Sequence, residues 1–315
     1  MGHSDSSEPN SDRSTIAIVC AADNHYAMPL AVMACSVLAN LPQHLHLLLF
    51  IIDGGIQAAN RQKILRSLSA VGQNRCDVRW LPPPDHLLKQ VKISEHITLA
   101  SYYRLFIADL LPTDLEKVIY LDCDLILNTN IENLWNLDLG NDYLLAVQDY
   151  QLPTLEVGLL NCQQLQLPGN WKYFNAGVLL VNLRRWREAN VTSQLLDYLQ
   201  NNVESIRWHD QDVLNAVCAG EWGEIDPRWN QTPFIFTFPS WTESPFDADT
   251  FQQIITDPYV IHFASQYKPW NVFRYHPSHK KLFYRYVDRS AWAGYRYSLL
   301  TAVKKRIKRL AWLKQ

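Results

Sequence analysis

The 315-residue chain has no apolar run of the roughly 18–20 residues that a membrane-spanning helix needs. Glycine is scarce, with 11 in all, and no G-x-G-x-x-G follows the first apolar segment. That motif lets backbone approach a dinucleotide's pyrophosphate, so its absence disfavours a nicotinamide-dependent dehydrogenase. No glycine-rich phosphate loop lies near Asp23 either, which counts against a nucleotidyltransferase. The cysteines (Cys20, Cys35, Cys76, Cys123, Cys162 and Cys218) include no C-x-x-C pair, so neither a zinc knuckle nor a dithiol redox centre is indicated. In a chain of this size they read as free thiols of a reducing cytosol. There is no internal repeat and no low-complexity linker. Residues 1–13 are Ser- and Asp-rich and lack the apolar core of a secretory signal, so they read as a disordered leader on a cytoplasmic protein.

The chain is 48% hydrophobic, enough for one large core without staples. Eleven Trp and fifteen Tyr serve that core and also offer faces on which sugars and bases stack. The formal charge of −2 hides an asymmetry. Tyr295–Gln315 holds seven cations and no acid, which leaves 22 Lys and Arg against 31 Asp and Glu in the rest. In that tail Leu299, Leu300, Val303, Ile307, Leu310 and Leu313 fall on one helical face, with Lys304, Lys305, Lys308 and Arg309 on the other. A basic amphipathic helix suits an anionic membrane surface, and the expectation is a peripheral association at the inner face of the membrane rather than nucleic-acid binding. Packing on the acidic body is the competing reading.

Thr15–Cys20 and Leu45–Ile52 read as buried strands, Val78–Leu81 and Val118–Leu121 as shorter ones. Between them Pro29–Asn40 and Gln57–Val71 read as helices, the second stopped by Gly72. Ser101–Leu110 reads as an amphipathic helix ended by Pro112. This alternation predicts an α/β fold with a Rossmann-like, mostly parallel central sheet flanked by helices. Such sheets bind ligands at the carboxyl ends of their strands, where Asp23 and Asp122 are both expected. Further on, Val178–Val181 and Tyr259–Phe263 read as strands and His209–Ala219 as a helix. One domain is expected over 14–270, followed by an aromatic and basic segment over 271–315.

Asp122 and Asp124 stand two apart after a buried strand, a spacing that puts both carboxylates on one side of extended chain and lets them grip a hard cation. An isolated D-x-D is more often a pair of solvated acids. His262 ends another strand; a lone His is more often a packed or surface residue, but here it could add a nitrogen ligand to the two carboxylates, a mixed set that suits Mn²⁺ better than Mg²⁺. With the metal, Lys268 could neutralise a diphosphate leaving group, or it is an ordinary surface lysine. Asn175 precedes Ala176-Gly177, where glycine allows close backbone approach. Asp210 and Gln211 begin a helix, and Asp210 by itself reads as the N-cap.

The segments AADNHYAMPLAVMACSV, ASYYRLFIADLLP, KVIYLDCDLIL, YFNAGVLLVNL, HDQDVLNAV, WNQ and HFASQYKPW, in that order over about Thr15–Trp270, resemble glycosyltransferase family 8, which includes glycogenin and bacterial lipopolysaccharide and lipooligosaccharide galactosyl- and glucosyltransferases. The resemblance implies a GT-A type fold and a retaining, Mn²⁺-dependent transfer of galactose or glucose from a UDP-sugar to a saccharide or glycolipid acceptor. It implies that Asp122, Asp124 and His262 bind the metal, with Mg²⁺ as the alternative ion. Ala21, Asp23 and Tyr26 would hold uracil and ribose, with Cys123 beside them in the donor site and Lys268 on the diphosphate. Arg104, Asn175, Asp210 and Gln211 would contact the donor sugar, and His96 and Asp149 would face the acceptor. The sequence departs from the family in two places: His25 stands where Asn is common, and Ser265 replaces the glycine of HxxGxxKPW, leaving it a less certain donor contact. Retention by a two-step route needs a nucleophile on the β face. Gln211 occupies the matching position and its amide is a poor one, with Asp210 adjacent, so front-face attack is expected. The competing functions are a nucleotidyltransferase and a non-catalytic sugar-nucleotide-binding protein.

Overall fold

The computed structural model describes residues 14–84, 99–273 and 275–298. The leader, His96 and the tail helix from Leu299 lie outside the described residues. The first half alternates as expected: β1 (Ser14–Ala22), a helix over Ala27–Asn40, β2 (Leu45–Asp53), a helix over Ala58–Gly72, and β3 (Cys76–Leu81). Then come β4 (Lys117–Leu121), β5 (Leu125–Leu127), β6 (Leu144–Gln148), β7 (Phe174–Asn182), β8 (Trp222–Glu224) and β9 (Val260–His262). Seven strands form one sheet in the order β3-β2-β1-β4-β7-β6-β8, while β5 pairs antiparallel with β9 in a second, small sheet. Within the large sheet only β7 runs against its neighbours.

β1 shows why the sheet is covered on both faces. Ile16, Ile18 and Cys20 enter one apolar cluster and Ala17 and Val19 the other, all at most 2% exposed. A strand whose alternate residues are both buried must be uniformly apolar, which is how TIAIVC reads. The Ala27–Asn40 helix is buried on every side from Pro29 to Leu38. It carries the small sheet on its back: Ser36 Oγ accepts from Leu127 N at 2.9 Å, and Asn40 Nδ2 donates to Leu127 O and to the Tyr286 hydroxyl. Residues 271–298 continue the same body, since the Pro277–Val287 helix sends Phe283 and Val287 into the cluster that holds β1.

Four local expectations need correction. Gly72 is the last residue of its helix rather than the first beyond it, and the left-handed φ values, 49° and 63°, fall to Gln73 and Asn74. A Cβ on the glycine would stand 3.2 Å from Leu38 Cδ1, a close contact with the end of that side chain. Leu99–Phe106 is a 3₁₀ helix, with α-helix only over Ile107–Leu110. Tyr102 to Phe106 are buried consecutively, Arg104 among them. β7 starts at Phe174 rather than Val178, so Asn175 and Gly177 lie inside it. Asp210 is not an N-cap: His209 holds that position with φ 59° and no side-chain cap, and the free N–H groups of Arg207 and Trp208 go to Asp212 Oδ2.

The strand order reverses between β1 and β4. Each leaves that point toward opposite sides of the sheet, which opens a crevice beyond their carboxyl ends. Because β7 is antiparallel, its beginning, Asn175 to Gly177, arrives at the same edge. Buried Asn215 seats the Asp210–Val217 helix there, accepting from Phe174 N at 2.7 Å and donating to Phe174 O and Gln211 O at 2.9 Å. Replacing Asn215 by Leu strips two buried backbone groups of partners and should lower the unfolding free energy by about 2–4 kcal/mol in urea denaturation. A loss below about 0.5 kcal/mol would show that these bonds do not seat the helix.

Candidate active site

A cavity of about 170 Å³ opens at the β1–β4 switch point, lined by Ala21, Asp23, Tyr26, Arg104, Asp122 and Asp124 among others. The loop after β1 is shaped by Asp23, whose Oδ1 accepts the N–H groups of His25 and Tyr26 at 2.8 and 3.1 Å. Cys123 turns its thiol inward to Ala21 O. Tyr26 packs edge-on to Trp270, with ring centroids 6.3 Å apart.

Each aspartate of the D-x-D divides its two oxygens between a cation and a histidine. Asp122 Oδ1 accepts from Arg104 Nη2 at 2.8 Å and from the Tyr120 hydroxyl at 2.9 Å, leaving Oδ2 3.7 Å from His262 Nε2. Asp124 Oδ2 is ion-paired with Lys268 Nζ, and its Oδ1 lies 3.3 Å from the same Nε2. One ligand atom from each of Asp122, Asp124 and His262 therefore meets the others within 4.8 Å. The donor set fits a divalent cation: two carboxylates and one imidazole, the imidazole braced by Nδ1 on Asn230 Oδ1 at 2.8 Å. Gly177 keeps the space open, because a Cβ there would come within 2.3 Å of His262 Cε1 and 3.0 Å of Asp122 Oδ2.

The charges are strongly biased. Burial works against the Asp124 carboxylate, but Lys268 and His262 together outweigh it and hold Asp124 well below the usual carboxylate range. Asp210 goes the other way. Burial, helped by Asp122, lifts it to about 6 despite the opposing pull of Arg104, whose Nε is 2.7 Å from Asp210 Oδ2. Arg104 itself is buried, and Asp122 and Asp210 keep it charged by raising it beyond its ordinary value.

A second cavity, of about 500 Å³, is lined by Asp149, Asn175, Gln211 and Ser265 with the aromatics Trp208, Phe234 and Tyr267. Gln211 is fixed at both ends: Oε1 accepts from Ala176 N at 3.0 Å and Nε2 donates to Asp149 Oδ2 at 3.2 Å. Asn175 Nδ2 donates to the same Asp149 oxygen at 3.0 Å. Ser265 spends its N–H on Phe263 O and its hydroxyl on the Tyr267 backbone. The structure thus brings together Arg104, Asp122, Asp124, Asn175, Asp149, Asp210, Gln211, His262 and Lys268. Ala21, Asp23 and Tyr26 line the first cavity and Ser265 the second. The sequence reading gave no role to Asn230 or Tyr120. Asn230 sits in the WNQ segment, but nothing in its spacing shows that it faces His262.

The fold is shared with solved sugar transferases. The crystal structure of galactosyltransferase LgtC in complex with donor and acceptor sugar analogs superposes with a TM-score of 0.71 at 27% identity, covering 87% of this chain and 95% of that one. The sheet, its switch point and the acidic pair there are those of a GT-A type glycosyltransferase. The chain belongs to glycosyltransferase family 8, whose family model, "Glycosyl transferase family 8", matches residues 17–273. It is similar to general stress protein A of Bacillus subtilis (strain 168), at 28% identity over 87% of this chain and 94% of that one. It is also similar to the lipopolysaccharide 1,2-glucosyltransferase of Escherichia coli (strain K12), at 26% identity over 82% and 73%.

Two outcomes test this geometry. Gly177→Ala should abolish any divalent-cation binding at this cluster, read with Mn²⁺ as the probe from the EPR signal of the free ion in the presence of protein. Retained binding would mean that the ion does not sit between His262 and Asp122. The second concerns Asp210. Its folded value near 6 lies above the roughly 3.9 of an unfolded Asp. Between about pH 4 and pH 6 the folded chain therefore holds more protons, and this group's contribution to stability falls as pH rises through that window. Carboxyl carbon NMR of the metal-free protein should show an Asp210 midpoint near 6, moving higher in Arg104→Gln. A midpoint near 4 would contradict the burial argument.

Proposed function

We propose that this glycosyltransferase moves a hexose from a UDP-sugar to a saccharide acceptor with retention of anomeric configuration. The observation that carries the reading is the convergence of Asp122 Oδ2, Asp124 Oδ1 and His262 Nε2 at the switch point, with Lys268 alongside. A divalent ion held there, Mn²⁺ in preference to Mg²⁺ because of the imidazole, would supply Lewis-acid stabilisation of a departing diphosphate. Lys268 would take up part of that diphosphate's charge as well. Ala21, Asp23 and Tyr26 line the cavity that would receive the nucleoside, with Cys123 closing its floor. Arg104, Asn175, Asp210 and Gln211 would surround the hexose. The larger cavity beside them, walled by Trp208, Phe234 and Tyr267 and lined also by Ser265, suits a sugar ring, and Asp149 would face the acceptor there.

Retention is assigned to front-face attack. The Gln211 amide is a poor nucleophile whose oxygen accepts a backbone N–H, and one oxygen of Asp210 is paired with Arg104, both of which weigh against a glycosyl bond at either residue. The acceptor hydroxyl would enter on the side the diphosphate leaves and pass its proton to a leaving-group oxygen. The similar lipopolysaccharide glucosyltransferase supports a lipid-linked or cell-surface glycan as acceptor, and the basic tail supports action at an anionic membrane. Among the described residues no helix is long and apolar enough to cross a membrane.

Incubated with UDP-galactose or UDP-glucose and Mn²⁺, the protein should release UDP, and Asp124→Asn should lower that rate at least about 100-fold. Hexose 1-phosphate in place of UDP would identify a nucleotidyltransferase, and no turnover of any donor a binding protein. A glycosyl adduct on Asp210 or Gln211 in intact-protein mass spectrometry would overturn the front-face route.

A further inference from the structure

A directed chain of hydrogen bonds runs from the second cavity to the candidate metal site. Asp149 is 7% exposed, and both its oxygens are occupied. Oδ1 accepts Gln151 N and Leu152 N at 2.8 and 3.0 Å, and Oδ2 accepts Asn175 Nδ2 and Gln211 Nε2. A carboxylate can only accept, so the amide nitrogen of Asn175 must face it. The Asn175 oxygen then faces the other way, taking Gly177 N at 3.0 Å and Asn230 Nδ2 at 2.8 Å. That orients Asn230 in turn, and its oxygen meets His262 Nδ1 at 2.8 Å. An oxygen with no proton of its own requires the proton on Nδ1. The Nε2 lone pair is left aimed at the two aspartates.

We propose that Asp149 is a positioning residue for the metal site: through Asn175 and Asn230 it fixes His262 in the Nδ1–H tautomer, the form whose Nε2 can bind a divalent cation. This rests on the metal-dependent reading above, and adds that the acceptor-side cavity and the metal site share one polar relay. Anything that engages Asp149 from the second cavity competes with Asn175 for the same oxygen and so bears on the histidine. Asn at 149 is close to isosteric, but it cannot accept at both ends. Its NH₂ must confront either the Gln151 and Leu152 N–H groups or the Asn175 and Gln211 amides.

The test begins with ¹⁵N NMR of histidine-labelled, metal-free protein, in which the tautomer is read without any ion. Wild type, at a pH high enough for the ring to be neutral, should show His262 as a single species with a pyridine-type Nε2. Asp149→Asn should show the Nε2–H form or a mixture, and its Mn²⁺ dissociation constant should rise about 10- to 100-fold, the usual effect of losing an outer-shell partner. Adding Asn230→Asp to Asp149→Asn should restore both signals, because a carboxylate at 230 accepts His262 Nδ1–H directly. A merely structural loss at 149 would not be repaired that way. A wild-type Nε2–H tautomer, or an Asp149→Asn protein with unchanged tautomer and affinity, overturns the relay. Wild type that has the expected tautomer but binds no Mn²⁺ overturns the metal reading and leaves the tautomer assignment standing.

Discussion

Asp124 is buried, and a buried carboxylate is strongly unfavourable unless a cation or metal stands against it. Lys268, itself only 8% exposed, meets one oxygen, and His262 faces the other. Asp122 repeats the pattern with Arg104. This pairing of one oxygen and release of the other organises the whole edge of the sheet. It draws in the 3₁₀ segment that carries Arg104, the small β5–β9 sheet that carries His262, and the turn after β9 that carries Lys268. It also leaves no room for a side chain at Gly177, where β7 passes His262 and Asp122.

Around that centre the polar groups are arranged so that few are free to move. Asp210 opposes Arg104, Gln211 is tied to Ala176 and Asp149, and Asn230 bridges Asn175 and His262. Such a network is preorganised: the cost of desolvating its charges is met on folding rather than when a substrate enters. The raised Asp210 carboxyl is a local expense of this arrangement, a group that would be more comfortable in water. Similar strain against stability is common where charge must be held for chemistry. The aromatic wall of the second cavity is of a different character, with apolar faces beside a single acidic residue, as a neutral ring would require.

Much of the site was legible because its parts lie in short segments with local signals. A buried strand followed by D-x-D, and a strand ending in histidine with lysine six residues on, can each be read from spacing and apolar pattern. Family resemblance then joined them. What spacing could not supply is orientation. Asp210 looks like a helix cap because it follows a turn and starts a helix, yet its carboxylate points away to an arginine 106 positions earlier in the chain. Asn230 stood in the WNQ segment with no sign of its partner, since its importance lies in which end of an amide faces which neighbour. Gly72 and the 3₁₀ segment were misread for the related reason that a glycine or a turn of helix answers to the surface it packs on.

The sequence alone determined the alternation of strands and helices, the mostly parallel sheet, and the residue types of the candidate metal site, because apolar periodicity and strand-end position are local properties of the chain. Only the tertiary structure decided that β7 runs antiparallel and so delivers Asn175 and Gly177 to the same edge as Asp122. It alone decided that His262 belongs to a separate small sheet, and that each aspartate offers one oxygen rather than two. Those outcomes depend on which elements pair across long separations, and on how buried charges find partners once water is excluded.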